Sequence, residues 1–393
     1  MEKLKVFEAF AGVGSQSMAL RNLGIDYEVV GISEVDKWAL LSYDAIHNEQ
    51  YDIELPSKEE MLKEFNDKHI AYNFSTNKSE IPRGIKDIEK LYKAHMRSRN
   101  YGDIRLINVE GLPKIDLFTY SYPCKNISIA GQQKGLEEGS GTQSSLVWDC
   151  FKIIEYCKPK YLLMENVKNL VGKKHKPQFD LICERLEKIG YNNYWKVLNG
   201  KDFGVPQNRE RVMMVSIRKD VDSGNFEMPL GFPLKKHIRD ILEDDKEKTY
   251  YTPNENFKLD DSINEENNYP KVLIDLSIKP KVRKNFEKER NLIANSKKDI
   301  YQCDCTSGWQ DNKVGIKVTP TVRAMNSFVS VYCDYKIRKL IPIECWRLMG
   351  FSDRDFYKAK ELGGLSNTKL YERAGRGIVV PMLEEIFRNL FLR

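Results

Sequence analysis

Val6-Phe7-Glu8-Ala9-Phe10-Ala11-Gly12-Val13-Gly14 is the stretch on which the fold turns. Val6 to Phe10 is a short apolar run, the pattern of a buried strand, and it ends at two closely spaced glycines. Ser15 to Leu23 then carries apolar residues at Met18, Ala19, Leu20 and Leu23, a helical spacing. A strand, a glycine turn and a helix in this order begin a βαβ unit, and such glycines let a ligand approach the backbone closely. The third glycine of the dinucleotide fingerprint is missing, so a plain turn is an equal reading of the motif taken alone.

The same rhythm continues outward. Glu28 to Ile32 reads as a strand and Trp38 to Ile46 as a helix; Ile115 to Tyr120, Tyr161 to Met164 and Val212 to Ile217 read as strands. Leu146 to Cys157 and Phe179 to Ile189 have helical patterns. Strands alternating with helices predict an α/β protein: a doubly wound, mostly parallel sheet with helices on both faces. Residues 49–100 are polar and charged and read as an insertion. Residues 220–337, rich in Lys, Asp, Asn and Glu, read as a separate, smaller domain. The expected division is one domain from 1–219 plus 352–393, a second from 220–337, and a connecting segment at 338–351.

The 393 residues suffice for one to three domains, and 41% hydrophobic content makes them globular. With 31% charged residues but a net charge of only +6, a histone-like polycation is excluded while a local basic face is allowed. No run of about 18 apolar residues is present, so no membrane span is expected. Eight cysteines (Cys124, Cys150, Cys157, Cys183, Cys303, Cys305, Cys333 and Cys345) form no regular framework and read as reduced thiols of a cytoplasmic protein. Cys303 and Cys305 lack the partners that would complete a zinc site, so no metal is expected.

Candidate ligand-binding residues cluster after the first two strands. Glu34 ends the second strand, where a carboxylate suits the two hydroxyls of a ribose. Asp103 offers an acceptor to an adenine amino group, and Phe10 and Val35 offer flat apolar surfaces to its ring. For Glu34 and Asp103 the alternative is helix capping or a solvated loop acid. A second cluster carries chemistry. Cys124 follows Pro123 at the carboxyl end of an apolar strand, where parallel sheets place active sites. Glu165-Asn166 and Gln207-Asn208-Arg209-Glu210-Arg211 lie on two further segments that can converge on it. A thiol, an acid and arginines suit attack on an electron-poor heterocycle, provided a cationic setting activates the thiol. The alternative is an inert buried cysteine. Gly131, Gly135, Gly139 and Gly141 favour the first reading, because they make the following loop a flexible lid.

In their order along the chain these motifs resemble the cytosine-5 DNA methyltransferase family. The resemblance spans nearly all of the chain outside 49–100 and 220–337, and includes Arg338-Lys339-Leu340-Ile341-Pro342 and Arg347-Leu348-Met349-Gly350-Phe351. It implies S-adenosyl-L-methionine as donor, bound by Phe10, Gly12, Gly14, Glu34, Val35 and Asp103, with Pro123 lining the pocket. It implies a cytosine flipped out of double-stranded DNA. Cys124 would add to ring carbon 6, Glu165 would hydrogen-bond ring nitrogen 3 and the exocyclic amine, and Arg211 would contact the ring oxygen. Asn166 would order the Cys124 loop, Arg209 would support the site, and Gln207 would order its strand. Residues 220–337 would be the target-recognition domain, with Trp309, Gln310 and Arg323 as readout candidates; Ser128 and Gln143 would also meet DNA. The expected protein is a monomer encoded by a bacterium or phage. A tRNA cytosine methyltransferase and an inactive DNA-binding relic are the alternatives. The sizeable 220–337 segment speaks against the first, and intact Cys124, Glu165 and Arg211 against the second.

Four positions depart from the family pattern: Lys125, Ala130, Gln143 and, above all, Ala374-Gly375-Arg376-Gly377, where Ala-Gly-Asn-Ser is usual. Arg376 has three readings: it faces solvent or a DNA phosphate, it clamps the donor's own carboxylate, or it admits a carboxylated S-adenosyl-L-methionine from which a carboxymethyl group is transferred.

Overall fold

The computed structural model describes residues 2–74, 76–124, 127, 139, 140, 142–236, 238–243, 319–322 and 340–392, and the backbone of short strands within 257–339. Lys125, Ser128, Ala130, Gly131, Gly135, Gly141, Cys305, Trp309, Gln310 and Arg323 lie outside the described residues.

The chain begins β1 (Leu4–Ala9), α1 (Ser15–Asn22), β2 (Tyr27–Ser33) and α2 (Lys37–His47), as the opening motif predicts. Then come α3 (Lys58–Asp67), a hairpin β3 (Tyr72–Asn73) and β4 (Lys78–Ser79), and α4 (Ile85–Arg97). The main sheet resumes with β5 (Leu117–Tyr120), α5 (Val147–Cys157), β6 (Tyr161–Val167), α6 (Lys176–Lys188) and β7 (Tyr191–Asn199). The short β8 (Gln207–Asn208) precedes β9 (Glu210–Arg218).

Six strands form the sheet in the order β2-β1-β5-β6-β9-β7. The first four are mutually parallel; β9 runs antiparallel to β6 and β7 antiparallel to β9. Neighbouring residues of the central strands face opposite ways. Val6, Leu117, Leu163 and Met213 enter one apolar layer, and Phe7, Phe118, Leu162 and Met214 the other. Both faces are therefore buried, which is why these strands read as continuous apolar runs. The strand β7 carries no such run. It lies at the sheet edge with several side chains half or fully exposed, so Tyr191-Asn192-Asn193-Tyr194-Trp195 gives no strand signal in the sequence.

Residues 49–100 are more than an appended insertion. Met61 and Phe65 of α3 and Ile88, Leu91 and Ala94 of α4 pack with Ile32, Leu40 and Tyr43 into a third apolar layer. Ser57 starts α3 with a capping box, its hydroxyl accepting from the Glu60 amide while Glu60 accepts from the Ser57 amide.

Beyond β9 the described strands are β10 (Phe257–Leu259), β11 (Leu273–Asp275), β12 (Tyr301–Cys303), β13 (Val314–Ile316), β14 (Thr319–Pro320), β15 (Ser330–Cys333) and β16 (Lys336–Lys339). Four of them make an antiparallel sheet in the order β13-β12-β15-β16. The boundary at 220 is less sharp than the composition implies. Phe226, Ile238, Ile241 and Val322 are buried in the same layer as α1 and the C-terminal helices. Four helices close the chain: α7 (Pro342–Arg347), α8 (Asp353–Glu361), α9 (Asn367–Arg376) and α10 (Val380–Phe391). Arg347 ties them to residues 241–243, donating to the Ile241 carbonyl at 3.1 Å and pairing with Asp353 and Glu243.

Glu8 was not anticipated as a special residue. It is fully buried in β1, and one carboxylate oxygen, Oε1, accepts from the Ser17 amide and hydroxyl, both at 2.9 Å; the other has no partner. Burial raises its pKa to about 7, against the opposing pull of the Ser17 hydrogen bonds. The folded pKa lies above the unfolded value. The stabilisation is therefore complete below the unfolded pKa of about 4.5 and is lost as pH rises through about 7. Glu8→Gln, which mimics the neutral acid, is expected to be more stable than the parent at pH 8.5 by about 1–3 kcal/mol and similar to it near pH 5. Urea unfolding at the two pH values checks this.

Candidate active site

The carboxyl ends of β1, β2, β5 and β6 form one rim of the sheet. At this rim Tyr120 of β5 lies beside Met164 of β6, so Cys124, just past β5, and Glu165 are neighbours across the strands. The register of β6 with β9 sets Val167 opposite Arg211, which brings the start of β9 to the same rim. The Arg211 Nε is 3.0 Å from the Glu165 Oε1, with both side chains largely buried. Burial pushes the Glu165 pKa up, and Arg211 and Arg209 pull against it. The half-buried Cys124 thiol is also pushed up, first by burial and then by Glu165, while Arg211 and Arg209 again oppose. Thiol, acid and guanidinium thus share one electrostatic site.

The loop that carries Cys124 is held from three directions. Asn166 donates to the Tyr122 carbonyl at 3.1 Å. Ser144 donates its hydroxyl to the Pro123 carbonyl at 2.8 Å, and Asn169 donates to the Ile127 carbonyl at 2.5 Å. The sequence gives no signal for Ser144 or Asn169, because any polar residue in a loop reads as solvated. Gln143 is half-buried and opens the short 3-10 helix Gln143–Leu146, whose cap is Thr142.

Arg209 stands behind the site. It is 2% exposed and donates to the carbonyls of Val322 at 2.9 Å, Gly375 at 3.0 Å and Gly377 at 2.9 Å. Three backbone acceptors offset the cost of burying its charge. Gln207 works alongside it, donating to the Leu348 carbonyl at 2.8 Å and accepting from the Val322 amide at 2.9 Å.

The second cluster lies after β1 and β2. Phe10 has a positive φ of 56°, and Gly12 and Gly14 follow at 59° and 72°. A Cβ on Gly14 would stand 2.3 Å from the His47 ring, so only glycine fits. Gly14 caps α1 without a side chain. The Glu34 carboxylate faces this turn, accepting from the Gly12 amide at 2.9 Å and from the Val35 and Asp36 amides at 2.8 Å. Burial and the adjacent Asp36 raise its pKa. Asp103 is more committed than expected. It is 3% exposed, accepts from the His69 ring at 2.8 Å, and pairs with Arg105.

Arg376 has a partner that none of its three readings foresaw. It donates to the Asp36 Oδ2 at 2.8 Å, and Arg373 donates to the same oxygen at 2.8 Å. Burial would raise the Asp36 pKa, but the two arginines hold the carboxyl well below its usual range. Gly377 has its own reason: a Cβ there would stand 2.6 Å from the Phe351 ring. Gly377→Ser, which restores the common family residue, is therefore expected to destabilise this chain by about 1–3 kcal/mol, read as a lower urea midpoint.

The C-5 cytosine-specific DNA methylase family profile matches residues 78–392. The chain belongs to this family. It is accordingly a DNA (cytosine-5)-methyltransferase. The methyltransferase is 41% identical to the type II methyltransferase M2.ScrFI of Lactococcus lactis subsp. cremoris, with 99% of each chain covered. It is 32% identical to the orphan methyltransferase M.SssI of Spiroplasma monobiae, covering 99% of this chain and 97% of the other. Among solved structures it is similar in fold to a Spodoptera frugiperda DNMT2 mutant, with a TM-score of 0.55, 14% identity and coverage of 99% and 100%. The Entamoeba histolytica methyltransferase EhMeth gives a TM-score of 0.54 at 15% identity, with 100% and 98% covered. Among the described residues, no helix of the methyltransferase is long and apolar enough to cross a membrane.

Proposed function

We propose that the methyltransferase flips cytosine from double-stranded DNA and modifies carbon 5 through a covalent adduct at Cys124. The observation that carries this reading is the buried Glu165–Arg211 pair beside Cys124 at one rim of the sheet.

S-adenosyl-L-methionine supplies the methyl group. The residues at the β1–α1 turn fit it: a glycine turn with no side-chain cap, and a carboxylate within 2.9 Å of the turn amide. Phe10, Gly12, Gly14, Glu34 and Val35 would hold it, with Pro123 at the side nearest the thiol. An adenine amine would reach Asp103 only as a further partner of a carboxylate already shared by His69 and Arg105. Arg376 is already engaged by the Asp36 oxygen that it shares with Arg373, so it has less call on a carboxylated donor, and a methyl group is the group transferred.

Cys124 would lose its proton and add to ring carbon 6. Glu165, whose carboxyl burial makes easier to protonate, would share a proton with ring nitrogen 3 and accept from the exocyclic amine, so that negative charge does not build up on the ring. Arg211 would face the ring oxygen. Carbon 5, then enamine-like, would take the methyl group, with S-adenosylhomocysteine as the leaving group, and loss of the carbon-5 proton to a base would then expel Cys124 and restore the ring. Residues 220–337 would read the target sequence. Ser128, Gln143 and Arg323 would add contacts to the DNA.

The test is to incubate the purified protein with S-adenosyl-L-methionine and genomic DNA, or tRNA in a parallel reaction, and weigh the nucleosides. 5-Methyldeoxycytidine from DNA alone is expected. A product only from tRNA, a carboxymethyl product, or none from either would overturn the reading.

A further inference from the structure

Asp36 is the junction of two walls. Its Oδ1 caps α2 by accepting from the Trp38 and Ala39 amides, and its own amide donates to Glu34 at 2.8 Å. Its Oδ2 takes both Arg373 and Arg376, the last arginines of α9. Just beyond them, the Ile378 amide donates to the Ser15 hydroxyl at 3.2 Å, and Gly375 and Gly377 present their carbonyls to Arg209. Residues 374–378 are thus pinned between the Glu34 turn, the start of α1 and the strand that bears Arg211.

Glu34 and Asp36 are two carboxylates two residues apart, and each raises the other's cost of ionisation. Two guanidiniums share the single Asp36 carboxylate, and Arg373 pulls against the rise that burial and Asp36 impose on the Glu34 pKa. Arg373 is 2% exposed at its side chain, whereas Arg376 is 52% exposed. One half of the clasp is therefore sheltered from salt and the other is not.

We propose that Asp36, Arg373 and Arg376 form a clasp that positions the donor site, with Arg376 making donor affinity depend on ionic strength. This rests on the reading that the Glu34 turn binds the donor. The clasp also accounts for the Arg376 departure from the family pattern. The pair Asp36–Arg376 replaces whatever an uncharged residue at that position would contribute, and it acts through Glu34 rather than on the donor itself.

The test is equilibrium binding of S-adenosylhomocysteine by calorimetry, in about 0.05 M and about 0.5 M salt. Asp36→Asn keeps the helix-capping oxygen and loses the charge; Arg376→Gln removes the exposed half. Each is expected to weaken binding about 3–5-fold at low salt. Arg376→Lys should restore affinity to within about twofold, and the difference between parent and Arg376→Gln should vanish at high salt. Unfolding midpoints without ligand show whether either variant has simply lost its fold. Folded variants that bind as the parent does, at both salt concentrations, would overturn the clasp. If Glu34→Ala binds as tightly as the parent, or the parent itself does not bind, the donor-site reading fails first and the clasp with it.

Discussion

Cys124→Ser is expected to reduce methyl transfer by at least about 10³-fold while leaving duplex binding within about twofold. The same variant should form no covalent adduct with a duplex containing 5-fluorocytosine, which the parent protein should trap. The reason lies in the setting of the thiol. Burial and Glu165 push its pKa up, and Arg211 and Arg209 oppose them. A hydroxyl, with a far higher pKa, gains too little from the same two arginines to act as a nucleophile. Gel separation under denaturing conditions reads the adduct, and radiolabel transfer reads the rate. An adduct formed by Cys124→Ser would mean that another group attacks the base.

Glu165→Gln is the second large effect. Glutamine is nearly the same size and keeps an acceptor for the Arg211 Nε, so the 3.0 Å pairing should persist as a hydrogen bond. It cannot give a proton to the ring, and kcat is expected to fall about 10²–10³-fold. The pH dependence gives a sharper sign. Glu165 as an anion raises the Cys124 pKa, and the two arginines lower it. With a neutral residue at 165, only burial is left to oppose the arginines among the causes named, so the Cys124 thiol should titrate at a lower pH in Glu165→Gln than in the parent. The rate of alkylation by iodoacetamide, followed from pH 6 to 10 in the absence of DNA, measures this. The expected variant is a thiol that is more readily alkylated near neutrality and an enzyme that is much slower. An unchanged or raised thiol pKa would show that Glu165 does not govern the nucleophile.

How much of this was visible in the chain depends on distance along it. The β1–α1 turn was legible because its strand, glycines and helix are contiguous. Glu34 was legible because it ends the next strand. The partners of Arg209 and Arg376 were not. Arg209 is expected to support the site, but nothing local signals that its guanidinium points to the carbonyls of Val322, Gly375 and Gly377, more than a hundred residues on. Arg376 reads as an unpaired charge because its partner, Asp36, lies at the other end of the chain. Asp36 draws no reading from the sequence; it also caps α2. Ser144 and Asn169 carry no sequence signal, since their acceptors are backbone carbonyls.

The sequence by itself determined the α/β class, the order of the motifs and the family. The class follows from local periodicity and the family from the resemblance of the ordered motifs, and neither needs a partner's position. Tertiary structure alone decided which charges are neutralised and which remain available. It set Glu165 against Arg211 and Asp36 against Arg373 and Arg376, because pairing falls off within a few ångströms and only folding brings such residues that close.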